Sequence, residues 1–372
     1  MTPAAAELLS PAGDRACFVG ALSAGADAVY LAGQKFGARA YAGNFTSVEL
    51  ITSIREAHAL HRRVYLTANI LTREDELDET VDFVCEMAAH GLDGVIVQDL
   101  GVAARVHEAF PDLPIHASTQ MSSTTAESVR FLKQLGVSRI VPARELSLDE
   151  IRLLKAQDIE IEAFIHGAMC YSYSGRCLFS SFLGGRSGNR GRCAGTCRLP
   201  FSVSDESGRK VMETAYPISM KDMTVLEILP ELLDAGIDSF KIEGRMKRPE
   251  YAAGVTSVYR RYIDRYIAWT NSGRKEPWRI DREDINFLSH LYIRTAKSTG
   301  YYHTQNGPSL ITIGKPGYAG TDDALLKEIH DRYCRALPVR EIGARVFLRV
   351  GEPAGLYLYD PADPSVCAYR TG

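Results

Sequence analysis

A (β/α)8 TIM-like barrel, interrupted after its seventh strand by a cysteine-, glycine- and arginine-rich insertion, is the fold class this sequence predicts. Three observations predict it. First, an apolar-periodic helix, a Gly, an apolar residue, an Asp or Ser and a short apolar strand follow one another four times. They do so at Gly25-Ala26-Asp27, Gly91-Leu92-Asp93, Gly136-Val137-Ser138 and Gly236-Ile237-Asp238. Glycine suits the left-handed position that closes a helix, and the apolar residue after it packs back on that helix. Second, eight strands of this kind, separated by helical segments, fit a closed parallel barrel of about 250 residues. Third, no G-x-G-x-x-G follows any strand, which counts against the runner-up, an open doubly wound sheet.

The strands centre, in order, on Leu8, Val29, Tyr65, Ile96, Ile115, Ile140, Ala163 and Lys241. Each is a short apolar run of the kind that a sheet buried on both faces requires. Val81–Ala89 is apolar with helical period. Ser147-Leu-Asp-Glu150 is a capping box that starts a helix. From Ala168 to Asp222 no period is sustained, and Gly, Ser, Arg and Cys dominate. An aperiodic connection this long inside a domain is usually functional, and in a barrel it emerges at the C-terminal face. Pro249 to Ala268 predicts a helix with Pro in its first turn, and Asp281 to Tyr292 another. The pattern fails around Asn306-Gly307-Pro308 and Lys315-Pro316-Gly317. Arg345–Val350, Leu356–Tyr359 and Val366–Arg370 then alternate as strands do. The expected organisation is a barrel domain over 1–300, with its cysteine loop at 168–222. A linker and the start of a β-rich C-terminal module follow over 301–372.

Composition is that of a globular enzyme: 372 residues, 45% hydrophobic and 24% charged. The N-terminus lacks the basic and apolar runs of a signal peptide, and no segment approaches the ~20 apolar residues of a membrane span. The expected location is therefore the cytoplasm, where thiols stay reduced. A net charge of −3 points to no nucleic acid globally, but Arg186, Arg190, Arg192 and Arg198 form a local basic group without an acid. Such guanidiniums could hold phosphates or a carboxylate, or merely brace the loop. Arg260, Arg261 and Arg265 read instead as a solvated helix face.

Four of the eight cysteines, Cys170, Cys177, Cys193 and Cys197, fall within 28 residues as C-x6-C-x15-C-x3-C. Four soft ligands in an irregular loop suit a cubic iron–sulfur cluster. Zinc is the alternative metal, although only Cys193 and Cys197 have a knuckle-like spacing. Disulfides and inert thiols are the remaining readings. Strand ends offer further candidates: His116 and Gln120, Arg144, His166, and the dense run Glu243-Gly-Arg245-Met-Lys247. That run could bind an anionic substrate or form an ordinary salt bridge at the barrel mouth. No His-Glu-x-x-His, G-x-S-x-G or P-loop is present.

Phe164-Ile-His-Gly-Ala-Met-Cys170, Tyr173-Ser-Gly-Arg-Cys177-Leu-Phe-Ser and Gly188-Asn-Arg-Gly-Arg-Cys193-Ala resemble the signature of the peptidase U32, or collagenase-like protease, family. Leu9-Ser-Pro-Ala-Gly-Asp14, Ala117-Ser-Thr-Gln-Met121 and Lys241-Ile-Glu-Gly-Arg-Met-Lys-Arg-Pro-Glu-Tyr251 support it, and the likeness covers roughly residues 5–300. The tail from Thr304 resembles the start of the extra domain of the family's rRNA-hydroxylating branch. The resemblance implies oxygen-independent hydroxylation by a [4Fe–4S] enzyme on Cys170, Cys177, Cys193 and Cys197. The implied product is a 5-hydroxypyrimidine in rRNA or tRNA, with prephenate as a small anionic co-substrate. His166, Glu243, Arg245 and Lys247 are then the catalytic candidates. His116, Gln120, Arg144, Arg190 and Arg192 are the substrate-binding ones. A U32-type peptidase and a ubiquinone-ring hydroxylase subunit are the alternative functions.

Overall fold

All eight expected strands are present and close on themselves in the computed structural model, which describes residues 6–291, 297–315, 317, 322–339, 341–361, 363, 365 and 367–371. The chain begins β1 (Glu7–Pro11), α1 (Arg15–Ser23), β2 (Ala28–Leu31), α2 (Ser47–Ala59), β3 (Arg63–Ala68), α3 (Leu77–Ala89) and β4 (Gly94–Val97). It continues α4 (Leu100–Ala109), β5 (Ile115–Ala117), α5 (Ala126–Gln134), β6 (Val137–Ile140), α6 (Leu148–Lys155) and β7 (Glu160–Gly167). Then come α7 (Phe179–Gly184), the hairpin of β8 (Phe201–Ser204) and β9 (Lys210–Ala215), β10 (Asp222–Thr224), α8 (Leu229–Asp234) and β11 (Ser239–Ile242). β11 is the eighth barrel strand: it pairs in parallel with both β1 and β7 and closes the ring.

The repeated Gly-apolar-Asp unit has a physical explanation that the sequence did not disclose. Gly25, Gly91, Gly136 and Gly236 all have positive φ, as a helix-closing residue needs, and the apolar residue after each is buried. Where the third residue is Asp, its side chain accepts a hydrogen bond from the second residue of a neighbouring strand. Asp27 Oδ2 takes Leu8 N at 2.9 Å, Asp93 Oδ2 takes Val64 N at 2.8 Å, and Asp238 Oδ2 takes Ile161 N at 2.7 Å. Each of the three Asp units thus ends one helix and caps the strand beside the one it starts; in the fourth, Ser138 Oγ donates instead to Ile115 O at 3.3 Å. Several helix starts are capped by a local side chain, Asp14 on α1 and Thr46 on α2 among them, and the Ser147/Glu150 box is formed on α6.

The lower half of the barrel is polar. Glu7 accepts from Tyr65 Oη at 2.7 Å, Arg139 Nη1 at 2.7 Å and Ser239 Oγ at 3.0 Å, and Glu162 pairs with Lys241 Nζ at 2.6 Å. Arg139, Glu162 and Lys241 are all buried, so each charge depends on its partner.

After β11 run α9 (Pro249–Asn271), α10 (Arg282–Ser289), the two-residue strand β12 (Lys297–Ser298) and α11 (Asp323–Ile329). α9 begins at Pro249 as expected and buries Tyr251, Tyr259 and Tyr262. Arg260, Arg261 and Arg265 each reach an aspartate, as a helix face rich in ion pairs does. The chain divides into two compact units, Met1–Ala336 and Leu337–Gly372, so the first unit extends past the expected limit at 300. Tyr302, Leu310, Ile329 and Cys334 are buried, and Tyr302 Oη donates to Phe164 O at 2.6 Å. The second unit is an antiparallel meander of β13 (Gly343–Phe347), β14 (Gly355–Tyr359) and β15 (Cys367–Thr371). Residues 1–5, Tyr292, Pro316 and Val366, on which some expectations fell, lie outside the described residues. Among the described residues, no helix is long and apolar enough to cross a membrane.

Replacing Glu162 by Ala leaves Lys241 buried without its partner, and should lower stability by about 3–5 kcal/mol in urea titrations. The double variant Glu162→Leu, Lys241→Met should recover most of that loss.

Candidate active site at the barrel mouth

Above the C-terminal ends of the strands lies a cavity of about 1620 Å³, walled by strand ends on one side and the cysteine loop on the other. Its side chains include seven arginines and lysines against three glutamates. The loop is held to the barrel at two places. Near its start, Ser174 N and Oγ donate to Glu145 at 3.0 and 2.8 Å, and Arg176 Nε donates to Ser122 Oγ at 3.1 Å. Gly175, at φ 72°, lies so near the Gln120 carbonyl that a Cβ would meet it at 2.0 Å. Farther along, Arg190 donates to both oxygens of Glu76, at 2.9 and 2.7 Å, and to Leu71 O at 2.6 Å. Ala40 N donates to Gly191 O at 3.2 Å. Arg198 finishes the span by donating to Ser219 Oγ at 3.1 Å and to the Met220 and Met169 carbonyls.

All four loop cysteines line the cavity, and none of the eight cysteines is in a disulfide. Burial pushes the pKa values of Cys170 and Cys197 up, opposed by Arg144 and Arg198 respectively, and Cys170 also feels Cys177 and Cys193 while Cys197 feels all three other loop thiols. Cys193 Sγ accepts from Gly195 N at 3.4 Å and lies 3.8 Å from Ser180 Oγ, contacts of the kind that tune cluster sulfurs. Among the described residues no three His, Cys, Asp or Glu side chains converge on a single ion. Tetrahedral zinc, with Zn–S of about 2.3 Å, demands that convergence. Four thiols lining one cavity are the donor chemistry that a cubane takes, one thiolate at each corner. The aperiodic stretch also contains α7 and the β8–β9 hairpin, both missed because helix and strands are too short to show a period.

Glu243 lies at the centre of the mouth. Its Oε1 accepts from Arg39 Nη2 at 3.1 Å and its Oε2 from Arg144 Nη2 at 2.9 Å. Burial alone would push its pKa up, yet the two guanidiniums outweigh burial and hold it at about 2. Arg144 also donates to Ala168 O at 2.9 Å and stacks 3.8 Å over Phe164. Gln120, Arg144, Glu243, Arg245 and Lys247 all line the cavity, as the sequence led us to expect. Arg39 and Lys241 line it too; the sequence did not single out Arg39, and it marked Lys241 as the centre of the eighth strand rather than as a site residue. Arg39 lies in an unpatterned connection, and Lys241 sits mid-strand where its chemistry was masked by its role in the strand.

Four expected site residues lie elsewhere. His166 is turned outward, 5.6 Å from the Tyr259 ring, because a register shift between Lys241 and Ile242 leaves β7 one residue longer than its partner. Burial, with Lys297 and Lys247 nearby, pushes its pKa down to about 3, so it is neutral. His116 lies in the barrel floor, 4.7 Å from the Tyr65 ring, where burial and Arg139 hold its pKa well below the usual value. Arg190 is committed to Glu76 and braces the loop. Arg192 is exposed outside the cavity lining.

A family model described as "Peptidase family U32" matches residues 13–312. The chain is 40% identical over 288 residues to the 23S rRNA 5-hydroxycytidine synthase of Escherichia coli, a match covering 76% of this chain and 44% of that protein. It is 39% identical over 269 residues to tRNA hydroxylation protein P1 of Bacillus subtilis, covering 70% of this chain and 64% of that one. An uncharacterized protease of Methanocaldococcus jannaschii is 38% identical over 306 residues, covering 80% and 72%. The chain therefore spans less than two thirds of the first two relatives.

Because the Glu243 pKa lies below its unfolded value, its contribution to stability is complete above about pH 5 and is lost as pH falls toward 2. Glu243→Gln should cost on the order of 3 kcal/mol at pH 7. The gap from wild type should close near pH 2, read from urea midpoints across that range.

Proposed function

The chain belongs to peptidase family U32, and from that membership and the four-cysteine loop over the barrel mouth we propose that it is an iron–sulfur enzyme that hydroxylates RNA. The observation that carries the reading is the placement of Cys170, Cys177, Cys193 and Cys197 around one cationic cavity. Those thiolates would hold a [4Fe–4S] cluster, which supplies one-electron chemistry close to bound substrate. The target is a pyrimidine of rRNA or tRNA, in keeping with the names of the two RNA-modifying relatives. A small anionic co-substrate such as prephenate is the accompanying reactant.

The chain's own residues divide the remaining work. Tyr41, Tyr171 and Tyr173 are exposed at the rim, with Arg176 beside them in the cavity wall and Arg186 5.1 Å over the Tyr41 ring. Exposed rings next to guanidiniums are the surface on which unpaired bases stack while cations meet the phosphates. Arg39 and Arg144 neutralise Glu243 and leave the inner cavity positive. The peptidase reading has less support. Among the described residues no histidine lines the cavity, so no Ser–His or Cys–His pair is available there.

Anaerobically purified protein should bind close to four iron and four sulfide, and any one of the four Cys→Ala changes should remove them. Cys85→Ser, in the helix α3, should leave both unchanged. Stoichiometric zinc without iron would reject the cluster. Nucleoside mass spectrometry of total RNA from a deletion strain should show loss of a hydroxylated pyrimidine. Wild-type protein should restore it, and the Cys170→Ala protein should not.

The two loop arginines should separate in RNA binding. Arg192→Gln should reduce the log–log salt slope by roughly one. Arg190→Gln should lower stability through loss of the Glu76 pair and leave the slope unchanged.

A further inference from the structure

Among the described residues, every other cation buried in the barrel interior is matched. Arg144 and Arg39 share Glu243, Lys241 has Glu162, and Arg139 has Glu7, Glu160 and Glu162. Arg245 is the exception. Its side chain lines the cavity, the residue is 4% exposed, and its Nη1 is buried with no hydrogen-bond partner among the described residues. No carboxylate of the cavity is free to move onto it. Glu243 is taken by Arg39 and Arg144, Glu145 accepts from Ser174, and Glu150 is held in the Ser147 capping box. A buried guanidinium without an anion is strongly unfavourable, so the arrangement is retained at a cost to the empty protein.

We propose that Arg245, with Arg39 beside it, forms a subsite for the carboxylate of a small anionic ligand. The guanidinium lies against the bare face of Gly37, where a Cβ would stand 3.5 Å from Nη1 and 3.6 Å from Nη2. Its flat five-donor fork suits two oxygens of one anion better than a point charge would. Burial and the neighbouring Arg39 push its pKa down to about 10, so it remains charged at neutral pH. The subsite adjoins the cysteine loop, because Gly191 packs on the Gly37 carbonyl and Arg39 feels the Cys193 thiol. An RNA phosphate shares the oxyanion chemistry, but it arrives with a sugar on either side and is ill suited to a group this buried. A small carboxylate needs only the open part of the cavity. The assignment deepens the proposed function by seating its anionic co-substrate, and it rests on that reading for the ligand's role alone.

The test measures binding to the full chain in low-chloride buffer, with malonate, inorganic phosphate and a short single-stranded RNA as probes. Wild type should bind malonate and melt at a higher temperature with it. Arg245→Met should melt higher than wild type without anion, because an unpaired buried charge is gone. Its malonate affinity should fall at least about tenfold, and its RNA affinity should stay within twofold. Arg245→Lys, which keeps the charge and loses the fork, should fall between them, and it carries the test if the Met variant does not fold. Unchanged malonate affinity in both variants overturns the proposal, as does a wild type that binds neither small anion. Loss of RNA affinity with malonate binding intact assigns Arg245 to the RNA backbone and also overturns it. The nucleoside profile decides the hydroxylation reading separately, since malonate binding does not depend on it.

Discussion

The carboxylate of Glu243, with one guanidinium on each oxygen, is the constraint on which the mouth of this barrel depends. Glu243 follows β11, Arg39 comes from the connection after β2, and Arg144 follows β6. One side chain therefore ties three strand ends that are distant in sequence. The same pairing makes Glu243 a poor proton carrier: a carboxyl held at about 2 stays ionised throughout the neutral range. The sequence presented Glu243, Arg245 and Lys247 as one dense run that could bind an anion or form a salt bridge at the barrel mouth. In the structure the first is scaffold, and the second is the group left without a partner.

The cysteine loop uses the barrel as a frame in two separate ways. Its first half is fixed through Ser174, Gly175 and Arg176 to the segments after β5 and β6. Its second half is fixed through Arg190 and Gly191 to the segments after β3 and β2. Cys170 and Cys177 thus ride on one attachment and Cys193 on the other, so the thiols are placed by contacts from four different strand ends. A loop with almost no regular structure gains its definition from these contacts, which is how a rigid scaffold commonly positions a functional loop.

Much of the barrel was legible because its signals are local. A glycine that closes a helix, the apolar residue after it and a short apolar strand occupy a few consecutive positions, and four of the eight strands were placed from them, the other four from short apolar runs between helical segments. The cavity residues Arg144, Arg245 and Lys247 were legible because polar residues at strand ends face the mouth of a barrel. Long-range facts were not legible. That Arg190 would find Glu76, more than a hundred residues away, is a property of the loop's path. His166 fails for a related reason: alternation along β7 points it inward, and a single bulge against β11 turns it toward α9. The packing of Tyr302, Leu310, Ile329 and Cys334 into the first unit was equally hidden, since the elements around them are too short to carry a period.

The two ends of the barrel interior show why charge alone did not locate the site. Arg139, Glu162, Lys241 and Glu7 form a network in which each charge has a partner, and such a network holds strands in register without needing a ligand. The mouth has the same residue types and a different balance, with cations in excess and its carboxylates already engaged. Residue types distinguish the two ends poorly, because both read as Arg, Lys and Glu on or beside strands. The distinction lies in satisfaction. Where all partners come from the chain, a buried charge stabilises the barrel; where one is missing, the protein has left room for something it must bind.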